Sequence, residues 1–67
     1  MNATTTERQQ WTAQEIRELR LRLHLTLREA AAKVGVSLRQ WVYWEAGTNS
    51  PRGSACILLD QMSQGKI

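Results

Sequence analysis

The sequence predicts an all-α domain, a compact bundle of four helices or, with a further turn at its end, five. Three observations predict it. The pattern Ser/Thr-x-x-Glu/Gln, which closes a helix N-terminus, stands at the head of three apolar-periodic runs: Thr12 with Glu15, Thr26 with Glu29, and Ser37 with Gln40. Gly35, Gly47 and Gly65 stand at helix-length distances downstream, where a left-handed residue ends a helix. Between these marks apolar residues recur every three to four positions, with no sustained period-two alternation.

Length and composition set the frame. With 67 residues the chain makes one small domain, and a domain this small depends on well-made helix ends or on a partner subunit. One cysteine, Cys56, excludes an internal disulfide, and one histidine, His24, leaves no metal-ligand cluster. No cofactor-binding pattern stands out. No apolar run approaches the ~20 residues that span a bilayer, and the first ten residues lack the apolar segment of a signal peptide, which fits a cytoplasmic protein. Net charge is +3, and arginine supplies seven of nine basic residues. Arginine suits bidentate contacts to phosphate and guanine.

Residues 1–10 are polar, rich in Thr and Gln, and read as a flexible arm with Arg8 as its one phosphate-gripping group. Residues 11–65 read as the folded domain. Thr12 opens a helix over 13–23; Trp11 and Ile16 have the spacing of a hydrophobic staple, and Ile16, Leu19 and Leu23 form the apolar stripe. Arg20 falls inside that stripe. Leu21 points about 140° away from Ile16. Thr26 opens a short alanine-rich helix, Leu27–Val34, which lets a neighbour approach closely. Ser37 opens a third helix over 38–46, with Val36 and Trp41 at staple spacing. The loop Thr48-Asn49-Ser50-Pro51-Arg52-Gly53 follows, and Pro51 suits the first position of a last helix running from 51 or 52 to 62 or 63.

The third helix carries the informative surface. Trp41, Trp44 and Glu45 share one side, which packs inward. Leu38, Arg39, Val42 and Tyr43 share the other, with Gln40 at its edge. A DNA major groove admits one helix with such a face. Arg39 can pair with guanine, Gln40 with adenine, Leu38 and Val42 can touch thymine methyls, and Tyr43 offers a hydroxyl. Helix starts at Thr26 and Ser37 aim backbone N–H groups where phosphates bind, and Arg28 beside Thr26 joins that set.

These residues also resemble a family. From Leu19 to Pro51 the chain is similar, without a gap, to the lambda-repressor-like helix-turn-helix domain of the XRE/Cro type. Leu19-Arg20, Thr26 with Ala31, Gly35-Val36-Ser37, Glu45-Ala46-Gly47 and Pro51 carry the resemblance. It implies a DNA-binding bundle in which Arg20 and Glu45 pair between the first and third helices. It implies that Ala31 is the small residue where the third helix crosses the second, and that Leu38, Arg39, Val42 and Tyr43 read bases, with Ser37 and Gln40 at backbone or outer bases. Thr48, Asn49 and Arg52 would clasp phosphates. There are departures: Leu27 replaces a common glutamine, His24 a common glycine, and little chain remains for a fifth helix.

The implied role is a transcriptional regulator from a bacterium or phage, reading an inverted repeat in double-stranded DNA as a homodimer and repressing its own operon. Phage control proteins, antitoxin-type repressors and regulators of anti-CRISPR operons share this form. Ala55, Leu58, Leu59 and Met62 form the apolar stripe of the last helix; Ile57, Leu58 and Met62 are the dimer candidates, unless they complete the monomer's own core. The competing class is a protein–protein module, in which Trp11, Leu21 and the arm meet a protein such as a toxin and DNA affinity ignores sequence. An enzyme is the weakest reading, because no nucleophile–base pair or carboxylate pair is present.

Overall fold

Trp41 and Ile16 lie at the centre of a core that four helices close around. The computed structural model describes residues 10–67, and in it α1 is Ala13–Arg22, α2 Leu27–Val34, α3 Leu38–Ala46 and α4 Ser54–Ser63. No strand occurs among the described residues. The arm expected over 1–10 lies, apart from the exposed Gln10, outside them, as does Arg8.

The helix ends are made locally. Thr12 and Thr26 each accept the N–H of the glutamate three residues on, at 3.1 and 3.0 Å, and each glutamate accepts the threonine N–H in return, at 3.0 and 2.9 Å. Such a cap contributes about 1 kcal/mol. At the other ends one closure recurs four times. Past α2, Val36 N–H reaches Ala31 C=O at 3.0 Å and Gly35 N–H reaches Ala32 C=O at 3.2 Å. The same bond pair closes α3 at Gly47 and Thr48, and α4 at Gly65 and Lys66. It requires a left-handed residue, which glycine supplies without a steric cost.

The first closure does without glycine. Leu25 N–H to Arg20 C=O and His24 N–H to Leu21 C=O, both 3.1 Å, end α1 with His24 held at φ 58°. The departure from glycine at this position therefore leaves the turn geometry unchanged and puts strain into it. Leu23, expected as the last helical residue, is the first of the turn.

The stripes meet as the periodicity requires. α3 packs on α1 and α2, and α2 also on α4. Trp11, Ile16, Leu19, Ala30, Ala31, Val34, Trp41, Trp44, Cys56, Leu59 and Met62 form the buried core, with Trp41, Ile16, Leu59 and Met62 its largest wholly enclosed side chains. The two α3 tryptophans tilt against each other at 54°, ring centroids 5.5 Å apart.

The last helix departs most from expectation. It starts at Ser54, because Gly53 takes φ 57° and ψ −125°, a conformation open to glycine that no helix can run through. Pro51 is buried instead of opening the helix, and its carbonyl accepts the Cys56 thiol at 3.4 Å. Met62, a dimer candidate in the sequence, is fully enclosed in the chain's own core and has no face for a second copy. Leu58 is half-buried against the same core, and Ile57 stays exposed.

Candidate nucleic-acid interface

The third helix projects one continuous exposed stripe. Arg39, Val42, Tyr43 and Ala46, at i, i+3, i+4 and i+7, all face solvent, with Val42 39% and Tyr43 37% exposed. Leu38 and Gln40 are half-buried at its margins. Ala46 was not picked out in the sequence, although it stands one heptad from Arg39; its small side chain leaves the C-terminal end of the stripe open to close approach. Thr26, Arg28, Ser37, Thr48, Asn49 and Arg52 are exposed as well.

Behind the stripe the helix is held by a three-way clamp. Arg20 Nε and Nη2 donate to the two Glu45 carboxylate oxygens at 2.6 and 3.1 Å, a bidentate pair. Arg20 Nη1 also donates to the Leu25 carbonyl at 3.2 Å, and Trp41 Nε1 donates to Glu45 Oε2 at 2.6 Å. One guanidinium thus joins α1, the turn before α2 and the inner side of α3. The Arg20–Glu45 pair matches what the family resemblance implies; the tryptophan's part was not foreseen, since an i, i+4 indole–carboxylate contact depends on rotamers that spacing does not specify. Burial pushes the Glu45 carboxyl up, but the bonds from Arg20 and Trp41, with the charges of Arg20 and Arg17, outweigh it and hold its pKa below the ordinary value. The bond that Arg20 donates to Glu45, with the carboxylate's charge, raises the Arg20 pKa against the opposing effect of burial.

That clamp settles the electrostatics of the outer face. Glu45 is the only carboxylate from residue 30 to residue 59, and it is neutralised from behind. Arg39 on the stripe and Arg52 on the loop stand exposed without a like-placed acid. The surface from Ser37 to Gly53 is therefore positive.

The start of α3 differs from the other two boxed starts. Ser37 Oγ accepts the Gln40 N–H at 3.0 Å, but the Gln40 side chain does not return to the Ser37 N–H. Its Nε2 donates to Asn49 Oδ1 in the following loop at 3.2 Å. The expected third capping box is thus half-formed. A neutral amide gains less at a helix N-terminus than a glutamate does, so a partner in the loop can take it. The Ser37 N–H is left without a partner among the described residues, at the positive end of the helix, whereas the Thr26 N–H is taken up by Glu29.

A family model described as helix-turn-helix matches residues 16–61. The chain belongs to the lambda-repressor-like helix-turn-helix family. No curated protein and no solved structure matches it. The match runs from Ile16 on α1 into α4, so it takes in the clamp, the turn at Gly35 and all of α3. This helix-turn-helix protein is accordingly a DNA-binding regulator by family. Among its described residues no helix is long and apolar enough to cross a membrane, and no group of three potential metal ligands gathers.

Proposed function

We propose that this helix-turn-helix protein is a sequence-specific regulator that lays α3 in the major groove of double-stranded DNA and represses its own operon. The exposed stripe Arg39–Val42–Tyr43, backed by a carboxylate that is already paired, supports this most. It offers the groove a guanidinium, a phenol and a branched aliphatic group with no repelling charge. Arg39 pairs with guanine, Gln40 with adenine, Leu38 and Val42 touch thymine methyls, and Tyr43 bonds a base or phosphate. Thr26, Arg28, Ser37, Thr48, Asn49 and Arg52 hold the backbone, Ser37 through its unpaired N–H.

Two copies bind an inverted repeat. Ile57 on α4, with Leu58 beside it and the exposed Ile67 at the chain's end, supplies the contact between them. A two-fold pair sets its α3 helices about 34 Å apart, one helical turn of DNA. The setting is a bacterial or phage operon, of the phage-control, antitoxin or anti-CRISPR-associated kind. Hydroxyl-radical footprinting on the DNA upstream of its own gene tests this. Two protected patches about ten base pairs apart are expected. A single patch, or even protection along the duplex, contradicts the paired reading of an operator.

A further inference from the structure

We propose that Asn49 is a positioning residue for base readout: its side-chain carbonyl fixes the Gln40 amide toward a base edge, so a loop residue outside α3 governs specificity at the base Gln40 meets. This rests on the DNA-reading role proposed above.

The comparison that carries it lies within the chain. Three residues hold the same third position of a boxed helix. Glu15 and Glu29 fold back onto their caps, and Gln40 reaches away to Asn49. Both residues of that bond are held at or beside the backbone. Gln40 is tied by its N–H to Ser37 Oγ. Asn49 follows Gly47 and Thr48, whose N–H groups close the end of α3 at 3.2 and 3.0 Å. The amide bond is therefore a strut from the first turn of α3 to the loop beyond its last.

The chemistry of the strut suits readout. A glutamine has three side-chain torsions, and ordering it on binding costs entropy unless it is held beforehand. One Nε2 hydrogen goes to Asn49, which leaves the second hydrogen and Oε1. Those are the donor and acceptor that adenine N7 and N6 require. With Asn49 Oδ1 as the acceptor, Nε2 is the end held at the loop and Oε1 is left for a base.

The test measures base preference rather than affinity alone, by selection from a randomised duplex library followed by titration. Gln40→Ala locates the position by abolishing its preference, a preference of about tenfold or more in the parent protein. Asn49→Ala should reduce the preference at that same position to under about threefold, and the double variant should lose nothing further. Asn49→Asp keeps an acceptor for Gln40, so it should retain the preference while binding every sequence more weakly through charge repulsion. Unchanged helicity by circular dichroism guards against a folding artefact. If Asn49→Ala weakens all sequences by one common factor with the preference intact, Asn49 is a backbone contact only and the proposal is overturned. It is equally overturned if Gln40→Ala alters no preference while other positions remain specific. A parent protein with no preference anywhere defeats the DNA-reading role itself.

Discussion

Arg20 grips Glu45 through two parallel bonds of 2.6 and 3.1 Å, and the same carboxylate receives the Trp41 indole N–H. The pair is 25 residues apart in sequence and only partly open to solvent, at 16% and 10% side-chain exposure. It fixes how α3 sits on α1, and so which side chains the bundle turns outward. A buried ion pair adds little net stability, but removing one partner strands the other.

Glu45→Gln should therefore destabilise the fold by about 2 kcal/mol at neutral pH, less than the loss for a wholly buried pair because water still reaches this one. The sign of the pH dependence follows from the lowered Glu45 pKa. Its contribution is complete above the ordinary carboxylate value of 4.5 and is lost as pH falls through the lower folded value. Urea denaturation of the parent and of Glu45→Gln should give curves that are well separated at pH 7 and converge as pH falls below the ordinary carboxylate value. A gap that is constant with pH would mean that the charge on Glu45 contributes nothing.

The two tryptophans of α3 should answer differently to one substitution. Both are buried, but only Trp41 has its indole N–H bonded; Trp44 Nε1 has no partner among the described residues. Trp→Phe removes similar volume at each. Trp41→Phe should cost about 1–2 kcal/mol more, from the lost bond to a charged acceptor, whereas Trp44→Phe sheds an unpaired buried donor. Thermal denaturation of the two variants side by side reads the difference.

His24 carries strain that the other three helix endings avoid. At φ 58° a residue with a Cβ costs about 1–2 kcal/mol, part of which glycine gives back through its looser unfolded chain. His24→Gly should stabilise the domain by about 0.5–1 kcal/mol and leave DNA binding as it was. No gain in the chemical midpoint would show that the histidine has a compensating contact.

Gln40→Glu sets stability against binding. A glutamate at this position should close the third capping box onto the free Ser37 N–H, as Glu15 and Glu29 do, and raise stability by about 0.5 kcal/mol. The same change releases Asn49, occupies the donor proposed to hold a phosphate and adds a charge that repels DNA. Melting temperature should rise while DNA affinity falls. A parallel fall in both would mean that the Gln40–Asn49 strut matters more to the fold than the cap does.

Much of this was legible in the sequence because the helix ends are chemically local. Thr12, Thr26, Gly35 and Gly47 act over three to five residues, and α2 and α3 have the expected bounds. The inward side of α3 followed from Trp41 and Trp44 at i, i+3. What escaped were choices made through space. Gln40 prefers Asn49 to its own cap, nine residues away. Pro51 is buried ahead of the helix, and Gly53 delays α4 to Ser54. The apolar stripe of the last helix leaves open which of its residues the core takes; α4 turns Leu59 and Met62 inward together, so Met62, also a dimer candidate, is enclosed. Arg20 and Glu45 came only from the family resemblance, since neither spacing nor composition pairs residues so far apart.

In the proposed function α3 reads DNA with Arg39 and Tyr43. The most direct measurement is a fluorescence-anisotropy titration of the parent, Arg39→Ala and Tyr43→Ala proteins against the upstream duplex and against single-base variants of it, at one salt concentration. Arg39→Ala should lose about 1–3 kcal/mol of discrimination at one base position, and Tyr43→Ala should weaken binding to the same duplex. Equal affinity of all three proteins for every duplex would contradict base reading by α3.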